Sequence, residues 1–115
     1  MPPKRNPLNL NPLQLKTLTL LQALAGIEGH VMRKEEDGSV LVAGIPRPHG
    51  DHFHMGDAVV SSQNATGLTN QAVWVALERK GLIKSFFPQG ALLTPLALAY
   101  NTGLSGTILH RHEGH

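Results

Sequence analysis

The amino-acid sequence predicts a protein of the α+β class, in which helices and short antiparallel hairpins form one domain. Helix start signals follow Asn11, Thr69 and Thr94. Turn signals between short β-type runs lie at Asp37-Gly38 and at residues 88–90. A chain of 115 residues with 41% hydrophobic content can bury one core of this kind, and a second domain is not expected.

The first predicted helix follows a strong capping sequence. Asn11 is placed to cap it, Pro12 suits its first position, Gln14 completes a capping box, and Gly26 ends it. Its leucines form a face wider than a core stripe: Leu10, Leu13, Leu20, Leu21 and Leu24, broadened by Leu15 and Leu18. Two interpretations stay open. The helix packs under the rest of its own domain, or its surplus leucines also meet the same helix of a second subunit in a homodimer.

Residues 30–45 are predicted to form a β-hairpin. Val31 and Met32 enter it, Asp37-Gly38 is a two-residue turn signal, and residues 39–43 leave it. The charged run before the turn is expected to be a solvated tip. The role of this inserted hairpin is not assigned.

The segment from Asp57 to Ile83 is the most informative part of the chain, because it has the pattern of a helix-turn-helix. Residues 57–65 are interpreted as a first helix, Thr66-Gly67-Leu68 as the turn, and Thr69 as the N-cap of a second helix that ends at Gly81. Leu68 and Val73 are spaced for a hydrophobic staple at the start of this second helix.

A second hairpin and a closing helix follow. Residues 82–87 form a β-type run, Pro88-Gln89-Gly90 a turn, and residues 91–94 a returning strand. Thr94 and Pro95 then open a helix that Gly103 is expected to stop. Helix, turn, helix, hairpin, helix is the order of a winged helix. The predicted organisation is a flexible basic arm at 1–9, one winged-helix domain at 10–104 and a histidine-rich tail at 105–115.

The run AVWVALERKGLI, followed by a short hairpin and LTPLALA, resembles the recognition helix, wing and closing helix of winged helix-turn-helix transcription regulators of the MarR-like kind. The resemblance covers roughly residues 57–103. It implies a winged helix-turn-helix fold and the function of a dimeric, DNA-binding transcription regulator with double-stranded DNA as its partner.

If DNA is the partner, the outward side of the second helix supplies most of the contacts. Thr69 and Asn70 are expected to hold phosphates, and Gln71 has the side chain that reads adenine. Trp74 and Val75 are expected to contact thymine methyls or sugars. The remaining proposed contacts are basic side chains that reach the backbone or a groove: Arg79, Lys84, Lys4 and Arg5. The alternative for Trp74 is packing against the wing or a partner chain.

The charge distribution keeps a second function open. Residues 1–50 hold six basic and four acidic side chains, a net charge of +2, whereas residues 51–115 hold four of each. Phosphate neutralisation supplies most non-specific DNA affinity, so a neutral second half favours a winged-helix module that binds another protein instead.

Histidines suggest a third hypothesis. His49, His52 and His54 follow an H-x2-H-x-H spacing, and three imidazoles can bind zinc, nickel or cobalt. Surrounding prolines and glycines favour the simpler interpretation of exposed loop histidines, and no cofactor is otherwise expected.

Other classes of function are not indicated. The chain has no cysteine, and no G-x-S-x-G, H-E-x-x-H, P-loop or G-x-G-x-x-G motif occurs, so catalysis is not expected. The N-terminus is broken by prolines and asparagines before any apolar run, unlike a signal peptide, and the Leu-rich segment is too polar to span a membrane. We therefore expect no membrane association and a cytoplasmic protein.

Overall fold

The computed structural model describes residues 6–111, which form an α+β fold with two antiparallel sheets. The α-helices in this range are α1 (Pro12–Ala25), α2 (Gln71–Arg79), α3 (Pro95–Ala99) and α4 (Ser105–Ile108). Two 3₁₀ helices cover Glu28–His30 and Ser62–Thr69. The strands are β1 (Val31–Lys34), β2 (Val40–Ala43), β3 (His52–Met55), β4 (Ala58–Ser61), β5 (Ile83–Phe86), β6 (Gly90–Leu93) and β7 (His110–Arg111).

The larger sheet has the strand order β1-β2-β6-β5, and the smaller has the order β3-β4-β7. Val42 pairs with Ala91, and Ala91 pairs with Ser85, so both predicted hairpins lie side by side in one sheet. One face of this sheet is buried through Val40, Val42, Ile83, Ala91 and Leu93. Alternation along the strands turns the side chains between these positions to the other face.

Helix α1 begins as the sequence predicts. The Asn11 side chain accepts from the backbone N–H of Gln14 at 2.8 Å, and the Gln14 side chain accepts from the backbone N–H of Asn11 at 2.9 Å. Each side chain satisfies a donor that the first helical turn leaves free, so the capping box is confirmed.

Four leucines of α1 are fully buried within their own chain. Leu18, Leu20, Leu21 and Leu24 have no exposed surface, because α1 is packed against the 3₁₀ helix Ser62–Thr69, α2, β2, β6 and α3. Leu18 is therefore not available to a second subunit, whereas Leu13 and Leu15 are only partly buried, so a homodimer through this helix stays a prediction. Contacts from several sides of the same domain explain its breadth.

A close contact joins α1 to the 3₁₀ helix Ser62–Thr69 at Gly67. A side-chain carbon at Gly67 would lie 1.9 Å from Oγ1 of Thr17. Thr17 is itself fully buried, and its hydroxyl donates to the carbonyl of Leu13 at 2.8 Å. The absence of a side chain at Gly67 therefore allows the two helices to approach this closely.

The predicted first helix of the helix-turn-helix is wrong over residues 57–61. Ala58–Ser61 form strand β4, which pairs with β3 across a tight turn where Gly56 has a φ of +57°. The adjacent β-branched Val59 and Val60 favour the strand. The helix begins later, at Ser62, and includes the predicted turn Thr66-Gly67-Leu68.

The other hairpins occur where the sequence predicts them. In the first, the backbone N–H of Ser39 donates to the Asp37 carboxylate at 2.8 Å, which holds the pKa of that carboxyl below its usual value. In the α3 region, Thr94 caps the helix and Pro95 opens it, but the helix ends at Ala99 instead of near Gly103. Gln22 of α1 donates to the carbonyls of Ala97 and Tyr100 and thereby satisfies the early helix end.

The chain ends are more structured than expected over the described residues. Within the proposed tail, Ile108 is buried and β7 pairs with β4, so residues 105–111 belong to the fold. Within the proposed arm, Asn6 accepts from the hydroxyl of Tyr100. Lys4 and Arg5 lie outside the described residues. From residue 6 to residue 111, no helix has the length and apolar character needed to cross a bilayer.

We expect Gly67→Ala to destabilise the protein by about 1–3 kcal/mol, because the added methyl group overlaps the Thr17 hydroxyl in a closely packed interface. Urea unfolding followed by circular dichroism measures this change. Gly106→Ala is the matched control, since nothing lies within 4 Å of a side chain added there. Thr17→Ala should recover part of the loss in the double variant. Equal midpoints for Gly67→Ala and Gly106→Ala would contradict the close contact.

Candidate nucleic-acid interface

Helix α2 is fixed to the core by three side chains of its inner face. Val73, Trp74 and Leu77 are buried, and the indole N–H of Trp74 donates to the carbonyl of Gly67 at 3.1 Å. The Trp74 ring also meets the ring of Phe87 edge to face, with centroids 5.2 Å apart. These contacts join α2 to the 3₁₀ helix before it and to the hairpin after it.

The expectation that Trp74 contacts DNA is therefore wrong. On an α-helix, successive side chains lie about 100° apart, so Trp74 adjoins the apolar stripe of Val73 and Leu77 and extends it. With no exposed surface, Trp74 cannot reach a ligand at the outer side of α2. The alternative interpretation, packing against the second hairpin, is confirmed through Phe87.

The outer face of α2 consists of exposed side chains. Gln71, Ala72, Val75 and Arg79 are all exposed along this face. Val75 is an apolar side chain with 36% of its surface exposed. The face combines an amide, a small apolar stretch and one positive charge.

The sequence predicts Thr69 as the N-cap of α2, but the cap is the next residue, Asn70. The Asn70 side-chain oxygen accepts from the backbone N–H of Ala72 at 3.1 Å. The Thr69 hydroxyl donates to the carbonyl of Thr66 at 3.3 Å, still within the preceding 3₁₀ helix. Both side chains are exposed, and the side-chain oxygen of each forms a hydrogen bond with the nearby backbone.

A hydrogen bond joins the β5–β6 hairpin to α2. The Glu78 carboxylate accepts from the backbone N–H of Ser85 at 3.2 Å, on the free side of β5. Lys84, a predicted DNA contact, is exposed on the outer face of the sheet, and its ammonium lies 5.8 Å from the ring centroid of Phe86.

A cleft of 790 Å³ opens at the N-terminal end of α2, between the segment after β2 and the turn of the second hairpin. Its polar lining side chains are Arg47, Thr69 and Gln89. Arg47 and Gln89 were absent from the predicted site. Only the proline-flanked basic residue in Ile45-Pro46-Arg47-Pro48 could have drawn attention to this region.

The histidines do not come together as the metal site that their spacing suggested. His52 and His54 lie exposed on one face of β3, whereas the ring of His49 lies near Phe53, whose side chain is buried on the opposite face. Across the described residues, no three His, Asp or Glu side chains are close enough to hold a metal ion. The geometry thus gives no three-ligand site for zinc, nickel or cobalt at His49, His52 and His54.

Comparison of the chain with models of protein families, with curated protein sequences and with solved structures finds no match. The interpretation of the site therefore depends on its own geometry.

We expect Asn70→Ala to lower the free energy of unfolding by about 1 kcal/mol, because the first turn of α2 loses its cap. Asn70→Asp should retain most of the stability, since a carboxylate accepts the same hydrogen bond and favours the positive end of the helix. Thermal unfolding of both variants checks this expectation. A wild-type midpoint for Asn70→Ala would mean that the cap contributes nothing.

Proposed function

We propose that the protein is a winged helix-turn-helix DNA-binding protein that regulates transcription. The observation that carries this proposal is the outer face of α2, whose side chains are exposed while its inner face is anchored through Trp74. A helix held in this way can enter the major groove of DNA, which is about 12 Å wide.

The connectivity supports the same proposal. Helix α1, strand β2, the 3₁₀ helix Ser62–Thr69, α2 and the β5–β6 hairpin follow one another, and β2 pairs with β6 beside β5. This is the order of elements in a winged helix, with β5–β6 as the wing. In this proposal β1 and the β3–β4 hairpin are insertions around that unit.

Four exposed side chains at the site receive a role in this proposal. Gln71, in the first turn of α2, reads a base edge, and Val75 contacts thymine methyl groups or sugars. Arg79 pairs with a phosphate, and so does Arg47 from the wall of the cleft. Trp74 supports α2 from inside and touches no DNA.

The small number of basic side chains implies modest affinity for a single copy. Arg79 and Lys80 at the end of α2 are offset by Glu78. We propose that two copies bind neighbouring half-sites, because linked binding raises the total affinity without further contacts in each copy. The four fully buried leucines of α1 are not available for this contact, whereas Leu13 and Leu15 are only partly buried. Lys4 and Arg5 add basic contacts to the same DNA in this proposal.

A second candidate function is a protein-interaction module, and one specific surface favours it. On the outer face of the larger sheet, Leu41 and Leu92 are paired neighbours that are only half-buried. Met32 and Phe86, in the two edge strands, are 55% and 46% exposed. An apolar sheet face of this kind is more typical of a protein contact than of a DNA contact.

Titration of a fluorophore-labelled DNA duplex with the protein tests the proposal. The label is on the DNA because Trp74 is buried and does not contact the duplex in this proposal. A duplex is first selected by the protein from a random-sequence pool. We expect the anisotropy of this duplex to rise on titration and the affinity to fall steeply with salt. No rise at low salt would refute DNA binding and favour the protein-interaction module.

Two variants assign the contacts. Gln71→Ala should cost about 1–3 kcal/mol on the selected duplex and relax its sequence preference, whereas Arg79→Ala should weaken all sequences alike and reduce the salt slope by about 1. Lys34→Ala, which removes one exposed positive charge from the distant edge strand β1, is the matched control. If Lys34→Ala lowers the affinity for DNA as much as Arg79→Ala does, the assignment of α2 to the interface is contradicted.

A further inference from the structure

The cleft at the start of α2 has the features of a site for a small molecule. Its volume of 790 Å³ lies in the range of about 300–1,000 Å³ that is usual for ligand pockets. We propose that it binds a small organic anion with an apolar ring or chain, held by the apolar walls, and with its charged group paired to Arg47.

Apolar side chains form most of the walls. Ile45 and Pro46 stand on one side, Phe87 and Pro88 stand on the other, and Leu68 lies at the end of the 3₁₀ helix between them. These surfaces suit a ring or a branched chain, because burial of apolar area supplies most of the binding free energy in such sites. The phosphates and sugars of a DNA backbone would leave these apolar walls without an apolar contact.

Arg47 gives the cleft its preference for a negative charge. It is the lining residue that carries a charge, and it is exposed. Over residues 6–111 the ion pair found is that of Arg33 with Glu35, so no carboxylate of this range occupies the Arg47 guanidinium. Its planar fork of donors matches a carboxylate or a sulfonate.

The walls are held in place by the fold. The carbonyl of Ala43 lies 2.9 Å from Nδ1 of His30, and Gly44 turns the chain out of β2 with a φ of +67°. Opposite, Phe87 contacts Trp74, and a side-chain carbon at Gly90 would lie 2.3 Å from the carbonyl oxygen of Val42. A site fixed in this way loses little entropy when it binds a ligand.

The position of the cleft gives the ligand a regulatory role, and this second step rests on the proposed function. Thr69 lines the cleft and directly precedes the Asn70 cap of α2, and Gln89 lies in the turn of the wing. A bound anion contacts both elements and neutralises Arg47. The two effects change the affinity for DNA.

The direct test is titration of the full-length protein with 1-anilinonaphthalene-8-sulfonate, an apolar ring system with one negative charge. We expect saturable 1:1 binding, with energy transfer from Trp74 because that ring contacts Phe87 in the wall. Arg47→Glu should weaken binding about tenfold or more at an unchanged unfolding midpoint. Arg33→Glu, the same charge reversal in β1, should bind as the wild type does.

A neutral probe separates the charge from the apolar walls. N-phenyl-1-naphthylamine keeps the rings and lacks the sulfonate, so Arg47→Glu should leave its affinity within about twofold. Absence of binding by both probes, or equal binding of the anion by wild type and Arg47→Glu, would overturn the proposed site.

The two proposals fail separately. If the anion binds through Arg47 but no duplex binds, the site stands and DNA binding fails. If a duplex binds but the anion does not, the site fails and DNA binding stands. If both bind, the anion should shift the affinity for the selected duplex in the wild type and not in Arg47→Glu, and an unchanged affinity would overturn the regulatory step.

Discussion

The burial of α1 by its own chain is the constraint on which the remaining structure depends. Leu18, Leu20, Leu21 and Leu24 are covered from several directions, so each neighbouring element finds its place against the same helix. The 3₁₀ helix approaches α1 closely at Gly67, next to Thr17. Since Trp74 donates to the carbonyl of that same glycine, the position of α2 follows from the packing of α1.

This arrangement separates anchoring from recognition on α2. The inner face binds the helix to Gly67 and Phe87, and the outer face carries exposed side chains. Substitutions along the outer face can therefore alter the affinity for a partner with little effect on the stability of the fold. The cleft beside it combines an apolar lining with the positive charge of Arg47, which forms no ion pair with the residues from 6 to 111.

Local signals allowed much of the fold to be predicted from sequence. The α1 capping box, the Asp37-Gly38 turn and Thr94-Pro95 act over a few residues, and each occurs as expected. Hairpin β3–β4 was not predicted, although polar and apolar residues alternate from His52 to Met55 in the sequence. Gly56-Asp57 forms the two-residue turn of this hairpin. The proposed site was harder to predict. The burial of Trp74 and the place of Arg47 depend on contacts between distant segments, which spacing alone does not encode.

The hydrogen bond from Ser85 to Glu78 has a consequence for how the larger sheet meets other chains. Strand β5 lies at the edge of this sheet, and an open edge offers backbone donors to which a foreign strand can add. Glu78 occupies one of those donors and places a negative charge beside it. At the opposite edge, β1 is broken by an irregular register between Val31 and Arg33 and carries two positive charges. Both edges thus resist strand addition, which protects an exposed apolar sheet face from growing into an aggregate.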